Sequence, residues 1–262
     1  MCIKNALIQN SNYNNLNNLP RIYMQENLII SQYYYLSKNN THYLKKVLRM
    51  QNKHIIEIFN NTNYVFFAQI INFFKATMTV QIVEKKEKNI ESLINIHLGQ
   101  VMTKYDKIDF IIQKSVEMGI TTITPLFSEY CNIQKKFFNV KHKIERWKKI
   151  IISSCQQCHR NIIPNINHPK DIFSWCQENE KNETKIVFDP TSDLNICHFK
   201  KPKKNFRIII GSEGGFSKYE MEKIIEYGFI PIRLGSRILR TETATLAAIT
   251  VLQTKFGDFA TF

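Results

Sequence analysis

No apolar run in this chain approaches the roughly 18 residues needed to cross a bilayer. The first residues are polar and rich in asparagine, without the apolar core of a secretory signal. Cysteine is sparse: the six residues are scattered, and no second CxxC or HxxxH completes a metal set. These absences predict a cytoplasmic protein with reduced thiols, no membrane span and no metal. Two nucleotide-cradling signatures are also missing. Gly211–Gly215 is not followed by the Gly-Lys-Ser/Thr of a phosphate-binding loop, and its spacing is not GxGxxG. That argues against a nucleoside triphosphate or a dinucleotide. Acidic residues are few, with 22 Asp and Glu against 36 Lys and Arg, a net charge of +14. A balance this basic favours a polyanionic partner.

What is present concentrates between Arg207 and Phe256. Phe206 to Ile210 is a short β-branched run, a buried strand by pattern. Three glycines follow within Gly211-Ser212-Glu213-Gly214-Gly215, where backbone must turn tightly or approach something closely. Ser217 and Glu220 have capping-box spacing, so a helix should start at Lys218 and end near Gly228. Ile230 to Leu234 reads as a second strand. A second turn, Gly235-Ser236-Arg237-Ile238-Leu239-Arg240, leads into a helix with Thr241 as its expected N-cap. Ala244, Ala247, Ala248, Val251 and Leu252 recur at helical spacing and predict its inner face. Two strand–turn–helix units in succession imply a parallel sheet. Ligands of such sheets sit outside the carboxyl ends of the strands, where both turns lie.

GSEGGFS followed by LGSRILRTETA resembles the RsmE family, SPOUT-class methyltransferases that use S-adenosylmethionine to methylate N3 of a uridine in 16S ribosomal RNA. The resemblance runs from about Pro20 to Gly257 and includes PRIY, IHLGQ, QKSVEMG, PLFSEY and QQCHRN. The family carries proline where this chain has Ser212 and Ser236. The resemblance implies an α/β fold: a SPOUT-type parallel sheet with a C-terminal trefoil knot over residues 92–262, preceded by a small PUA-like RNA-binding β-barrel over 20–88. It also implies a homodimer acting on 16S rRNA or the small ribosomal subunit. S-adenosylmethionine has no phosphate, so its pocket needs an apolar floor and backbone groups for the adenine edge. Ile210, Leu234, Ile238 and Leu239 can supply the floor, Gly211, Gly215, Gly235 and Ile238 to Leu239 the backbone edges, and Phe188 a third wall. Glu213, Gly214, Arg240, Thr241, Thr243 and Ala244, from the two matched motifs, complete the expected cofactor site. The expected catalytic residues are Arg240, Glu242 and Glu213. Arg240 stabilises charge on the uracil carbonyls when the N3 proton leaves. Glu242 orients Arg240 or closes its loop, and Glu213 takes the proton or holds its own loop. The alternatives are a same-fold enzyme with another target, such as a ribose 2′-hydroxyl, and a non-catalytic rRNA-binding assembly protein.

The rest of the chain supports a two-part reading. Residues 1–19 read as a loose extension. From Pro20 to Lys88 the signals are mostly β: strands near Ile55–Phe59, Tyr64–Phe74 and Thr77–Val83, a turn at Asn60–Asn63, and a short helix over Thr41–Met50. Arg21, Lys45, Lys46 and Arg49 are candidate phosphate contacts there. The charge run Glu84–Glu91 marks the boundary. Beyond it, strands near Leu93–Leu98, Thr121–Phe127 and Lys185–Phe188 alternate with helices over Asp106–Met118 and Asn139–His159. Asp106 is the expected cap of the first helix, and Ile108, Ile111, Ile112 and Ser115 its inner face. Cys155-Gln-Gln-Cys158-His159 matches a haem-attachment spelling but lies inside a helical pattern, where packing explains it better. Arg160, in the QCHRN stretch, is a further RNA-contact candidate.

Overall fold

The structure is a computed structural model and describes residues 19–74, 77–131, 139–178, 182–199 and 204–260. The expected N-terminal extension lies outside the described residues apart from Leu19. The chain divides into two compact units, Met1–Ile90 with Cys155–Ile162, and Glu91–Ser154 with Ile163–Phe262.

Period-two alternation builds the first unit. Along β5 (Thr77–Glu87), Met78, Val80 and Ile82 are buried while Thr79 and Gln81 stay partly exposed. β5 joins β1 (Arg21–Tyr23), β2 (Tyr33–Tyr35), β3 (Ile55–Phe59) and β4 (Tyr64–Phe74) in one sheet ordered β1-β3-β4-β5-β2. The pairings are antiparallel except between β1 and β3. The turn expected at Asn60–Asn63 links β3 to β4, with Asn61 in the left-handed region at φ 64°. In place of a closed ring, the ladders leave β1 and β2 as edges among the described residues. Ile22 of β1 and Tyr34 of β2 still pack on one apolar cluster with Ile56, Phe66 and Val80. The short helix begins at Lys38 rather than Thr41: α1 (Lys38–His42) is capped by Ser37 and continues as a π-turn over Tyr43–Val47. Lys45, Lys46 and Arg49 are exposed there, with the Lys45 ammonium 5.1 Å from the Phe73 ring centroid.

Arg21 is not a surface cation. Its guanidinium is buried, 2.6 Å from Glu57 and 4.2 Å over the Phe59 ring. It donates to the carbonyls of Cys155 and Arg160 at 2.9 Å and to the Asn161 side chain. Burial lowers its pKa and the Glu57 charge opposes that shift. The carbonyls it binds end or follow a helix, the pole that attracts cations. A desolvated arginine with this many partners holds the 155–162 segment and has no face left for phosphate. Arg160 is likewise buried, at 4% exposure, so the segment's outer surface is not where its side chain lies.

The second unit has a wholly parallel sheet. β6 (Asn95–Val101), β7 (Thr122–Phe127), β8 (Asn165–Ile166), β10 (Glu183–Phe188), β11 (Asn205–Ile210) and β12 (Ile230–Ile232) run in the order β12-β10-β11-β6-β7-β8, and β9 (Lys170–Asp171) also pairs with β7. Helices α2 (Tyr105–Glu117), α3 (Val140–Cys158), α4 (Ile172–Cys176), α5 (Lys218–Glu226) and α6 (Thr241–Phe256) follow strands in turn. In α2, Ile108, Ile111, Ile112 and Ser115 are buried as expected, but the N-cap is Lys104, and Asp106 sits in the first turn. Gly119, at φ 86°, stops that helix.

The last helix departs from expectation in two ways. Arg240 occupies its N-cap without a side-chain bond, and Thr241 is its first helical residue. The buried side is Thr241, Thr245, Ala248, Ile249, Leu252 and Gln253, while Ala244, Ala247 and Val251 are half-exposed. Buried polar partners set this rotation. Gln253 donates to the Met118 carbonyl at 2.9 Å and accepts from Ser92 at 2.6 Å, fastening α6 against the end of α2.

Candidate active site

β10 and β11 are neighbours, so the loops leaving their carboxyl ends emerge side by side. After Ile210 the backbone folds back at once: Gly215 N–H donates to the Ser212 carbonyl at 3.0 Å, and Gly215 has φ 69°. That conformation suits glycine alone without strain. Ser212, where the resembling family has proline, is buried and donates its hydroxyl to the Tyr130 carbonyl at 2.9 Å. A hydrogen bond thus restrains the turn where a ring would have. At Gly214 an added Cβ would lie 3.0 Å from the Tyr130 side chain. Gly214 is therefore tightly approached by Tyr130, and it does not line the cleft.

The capping box at Ser217 and Glu220 is present and does a second job. Glu220 is buried; one carboxylate oxygen accepts from Ser217 N–H at 3.0 Å and the other from Glu129 N–H at 2.7 Å. One side chain caps α5 and holds the 128–130 loop against the turn. Sequence spacing revealed the cap but not the second contact.

Two further fastenings join the turns. Buried Gln100 of β6 donates to the Thr241 hydroxyl at 3.1 Å and accepts from the Thr245 hydroxyl at 2.7 Å. Thr241 in turn donates to the Gly211 carbonyl at 2.7 Å. The first turn of α6 is thereby tied to the first residue beyond β11. On the other side, Glu213 accepts from Thr103 and from Lys107, both at 2.7 Å, and Lys107 also lies 3.4 Å from Glu242. One ammonium neutralises the carboxylate of the first turn and that of Glu242 in α6. Partial burial pushes the Glu213 carboxyl up, but the bonds from Lys107 and Thr103 outweigh it and hold it down to about 2. The same bond to Glu213 raises the Lys107 pKa, against some desolvation. At that value Glu213 stays ionised and is a weak base, which favours loop-holding over proton acceptance. Neither Gln100, inside IHLGQ, nor Lys107 stands out in the sequence. A glutamine in a strand and a lysine in a helix's first turn carry no signal until their partners, more than 100 positions away, are known.

Between the turns lies a cleft of ≈ 540 Å³ that continues into a narrow recess of ≈ 70 Å³, the two sharing Phe188, Asp189, Pro190, Ile238, Leu239 and Ala244. Of the residues expected around a cofactor, Ile210, Gly211, Glu213, Gly215 and Thr241 also line the cleft, and Leu234 and Gly235 line the recess. Arg240 and Thr243 are exposed beside it and do not line it. Asp189, Pro190, Thr191, Phe216 and Met221 contribute walls that the motifs did not indicate. The Asp-Pro pair closing β10 was the available signal, since a turn at that edge must border the same cleft. Asp189 is oriented by the Thr191 backbone and hydroxyl, each 2.9 Å from its carboxylate.

Known proteins resemble this chain in sequence and in fold. A family model described as an RNA methyltransferase domain matches residues 71–253, and one described as an RNA methyltransferase PUA domain matches residues 36–73. The chain is 56% identical over 241 residues to ribosomal RNA small subunit methyltransferase E of Buchnera aphidicola subsp. Acyrthosiphon pisum, covering 92% of this chain and 95% of that one. The protein of the same name from Mesomycoplasma hyopneumoniae is 32% identical, over 78% of this chain and 87% of its own. A crystal structure of a ribosomal RNA small subunit methyltransferase E from Neisseria gonorrhoeae, bound to S-adenosyl methionine, superposes with a TM-score of 0.87 at 33% identity, covering 92% of this chain and all of that one.

Proposed function

The chain belongs to the ribosomal RNA small subunit methyltransferase E family, and from that membership we propose that it methylates N3 of a uridine in 16S ribosomal RNA with S-adenosylmethionine as donor. The observation that carries this reading is the meeting of the two turns, where Thr241 bonds the Gly211 carbonyl and an apolar cleft opens between them. The residues present suit the cofactor. Phe188, Ile210 and Leu239 offer apolar surface, the glycine-bearing backbone offers polar edges, and Asp189 offers counter-charge to a sulfonium. The bound cofactor would supply an electrophilic methyl group.

The chain's own contribution is positioning and charge. Uracil N3 is a poor nucleophile until its proton leaves, and negative charge then spreads to the flanking carbonyls. Arg240, at the mouth of the cleft and the start of α6, is the proposed stabiliser of that charge. Glu242 shares Lys107 with Glu213 and keeps the start of α6 in one arrangement with the first turn. The uridine must arrive unpaired or be drawn from its stack. The first unit is the proposed RNA-binding domain, with Lys45, Lys46 and Arg49 among its phosphate contacts. Homodimerisation through the half-exposed side of α6, a trefoil-knotted C-terminal half, small-subunit specificity and a cytoplasmic site of action complete the proposal. No helix among the described residues is long and apolar enough to cross a membrane.

The test is to incubate the protein with S-adenosylmethionine and unmethylated 16S RNA or small subunits, then map the modified atom. N3-methyluridine at one position is expected. A ribose 2′-O-methyl, or no transfer by protein that binds the cofactor, would overturn the assignment.

A further inference from the structure

Strand β2 is three residues long, and two of them face outward. Tyr33 and Tyr35 are 60% and 72% exposed, whereas Tyr34 between them turns inward onto the core. Large aromatics on an exposed strand bury little surface of their own, so folding does not explain this pair. Yet the strand is firmly held. The Tyr34 hydroxyl accepts from Ile29 N–H at 2.8 Å and donates to the Asn27 carbonyl at 3.0 Å. Ser31 N–H donates to the Ile82 carbonyl at 2.8 Å, and the Gln81 amide donates back to the Ser31 carbonyl at 3.1 Å. Ser31 turns the chain into the strand with φ 69°. The two exposed rings are therefore presented from a fixed backbone.

We propose that Tyr33 and Tyr35 form a stacking platform for unpaired bases of the RNA substrate. Residues two apart on a strand share a face at about 7 Å spacing. That is about twice the ~3.4 Å rise of stacked bases in a duplex strand, so the pair fits bases that have already come apart. Cross-strand neighbours on the same face are polar: Tyr33 is paired with Gln81 and then Gln69, and Tyr35 with Thr79. The Thr79 hydroxyl and the amide oxygens of the two glutamines can meet base edges beside the rings. Charge complementarity names the occupant. The Gln69 amide bonds the carbonyl of exposed Lys53 at the end of that row, and the chain as a whole is strongly basic. Bases stacked on aromatic rings above a basic surface are the usual arrangement for single-stranded RNA. The unit's membership in a PUA family predicts contact with RNA but does not indicate these tyrosines, which the fold alone brings out.

The inference rests on the RNA-methyltransferase reading, and its test separates the two. Binding of a short unpaired uridine-rich RNA and of a matched duplex is measured by anisotropy for wild type, Tyr33→Ala, Tyr35→Ala, the double variant and the two Phe variants. Single-strand affinity is expected to fall about fivefold or more for each alanine, and to stay within about twofold for phenylalanine. Duplex affinity, S-adenosylmethionine affinity and melting temperature should not move. Unchanged single-strand affinity in the double alanine variant overturns the platform, even where wild type still methylates rRNA. A shift in oligomeric state with unchanged RNA affinity also overturns it, making this edge a contact between copies of the chain. If wild type binds neither RNA nor cofactor, both the platform and the reading beneath it fall.

Discussion

The two turns that wall the cleft are built differently. The first, Gly211–Ser217, is fastened from four directions: Ser212 to Tyr130, Glu213 to Thr103 and Lys107, Glu220 to Glu129, and Thr241 to Gly211. The second, between Leu234 and Leu239, has no side-chain hydrogen bond or ion pair among the described residues. Gly235 sits at φ 96° with open space around it, and Ile238 is 89% exposed. The contrast divides the labour of the site. The fastened turn is a wall that exists before any ligand arrives. The exposed turn carries Arg237 and Ile238 and leads into Arg240 at the α6 N-cap, the groups best placed to respond to cofactor, RNA or a second copy of the chain. Local stability follows the number of buried contacts, so the second turn should be the one that gains order on binding.

Removing the charged group beside the exposed turn should have the largest effect. Arg240→Ala is expected to lower kcat by about 10²–10³, the usual cost of one donor to developing charge. Cofactor affinity measured by calorimetry should change little, because Arg240 does not line the cleft. Loss of cofactor affinity with kcat preserved would reverse the roles given to the two turns. Next comes Gln100→Leu, which leaves the buried hydroxyls of Thr241 and Thr245 short of a partner. It should destabilise the protein by about 1–3 kcal/mol in chemical denaturation and weaken cofactor binding as α6 loses its tie to the first turn.

Acid sharpens the comparison further. The Glu213 carboxyl titrates near 2 when folded, below its ordinary 4.5. The stabilisation it gives is therefore complete above about 4.5 and is lost as pH falls from there through about 2. Denaturation midpoints followed across that window should drop, and Lys107→Met should flatten the part due to Glu213. The smallest effects concern the two serines. Ser212→Pro deletes a hydrogen bond to Tyr130 and should cost about 1 kcal/mol. Ser236→Pro, on an exposed turn without such a bond, should leave the melting temperature nearly unchanged. Equal effects of the two prolines would erase the distinction between the turns.

Where local chemistry decided the outcome, the sequence was legible. The Ser217–Glu220 cap, the β-branched strand before Gly211 and the inner face of α2 depend on neighbours a few residues away, and they stand where periodicity and capping put them. Distant partners decided the rest. Arg21 looked like a phosphate contact because a cation after proline carries no sign of Glu57 or of the helix end that captures it. Thr241 could cap α6 or open it, and its bond to Gly211 selects the second role. Polar and apolar residues are mixed around α6, so spacing left its rotation undetermined until Thr245 and Gln253 found their partners. Gly214 belongs to the motif yet turns its absent side chain toward Tyr130 and not toward the cleft. In each case the residue type was readable and its direction was not.

The central claim, that the cofactor lies between the two turns, is tested most directly by calorimetric titration of S-adenosylmethionine into wild type and Ala244→Phe. Ala244 is half-exposed on the first turn of α6 and lines both the cleft and its recess, so a phenyl ring there fills the space without touching the core. The account predicts one site per chain in wild type and no measurable binding in the variant, at an unchanged melting temperature. Equal affinity in the two proteins would contradict it.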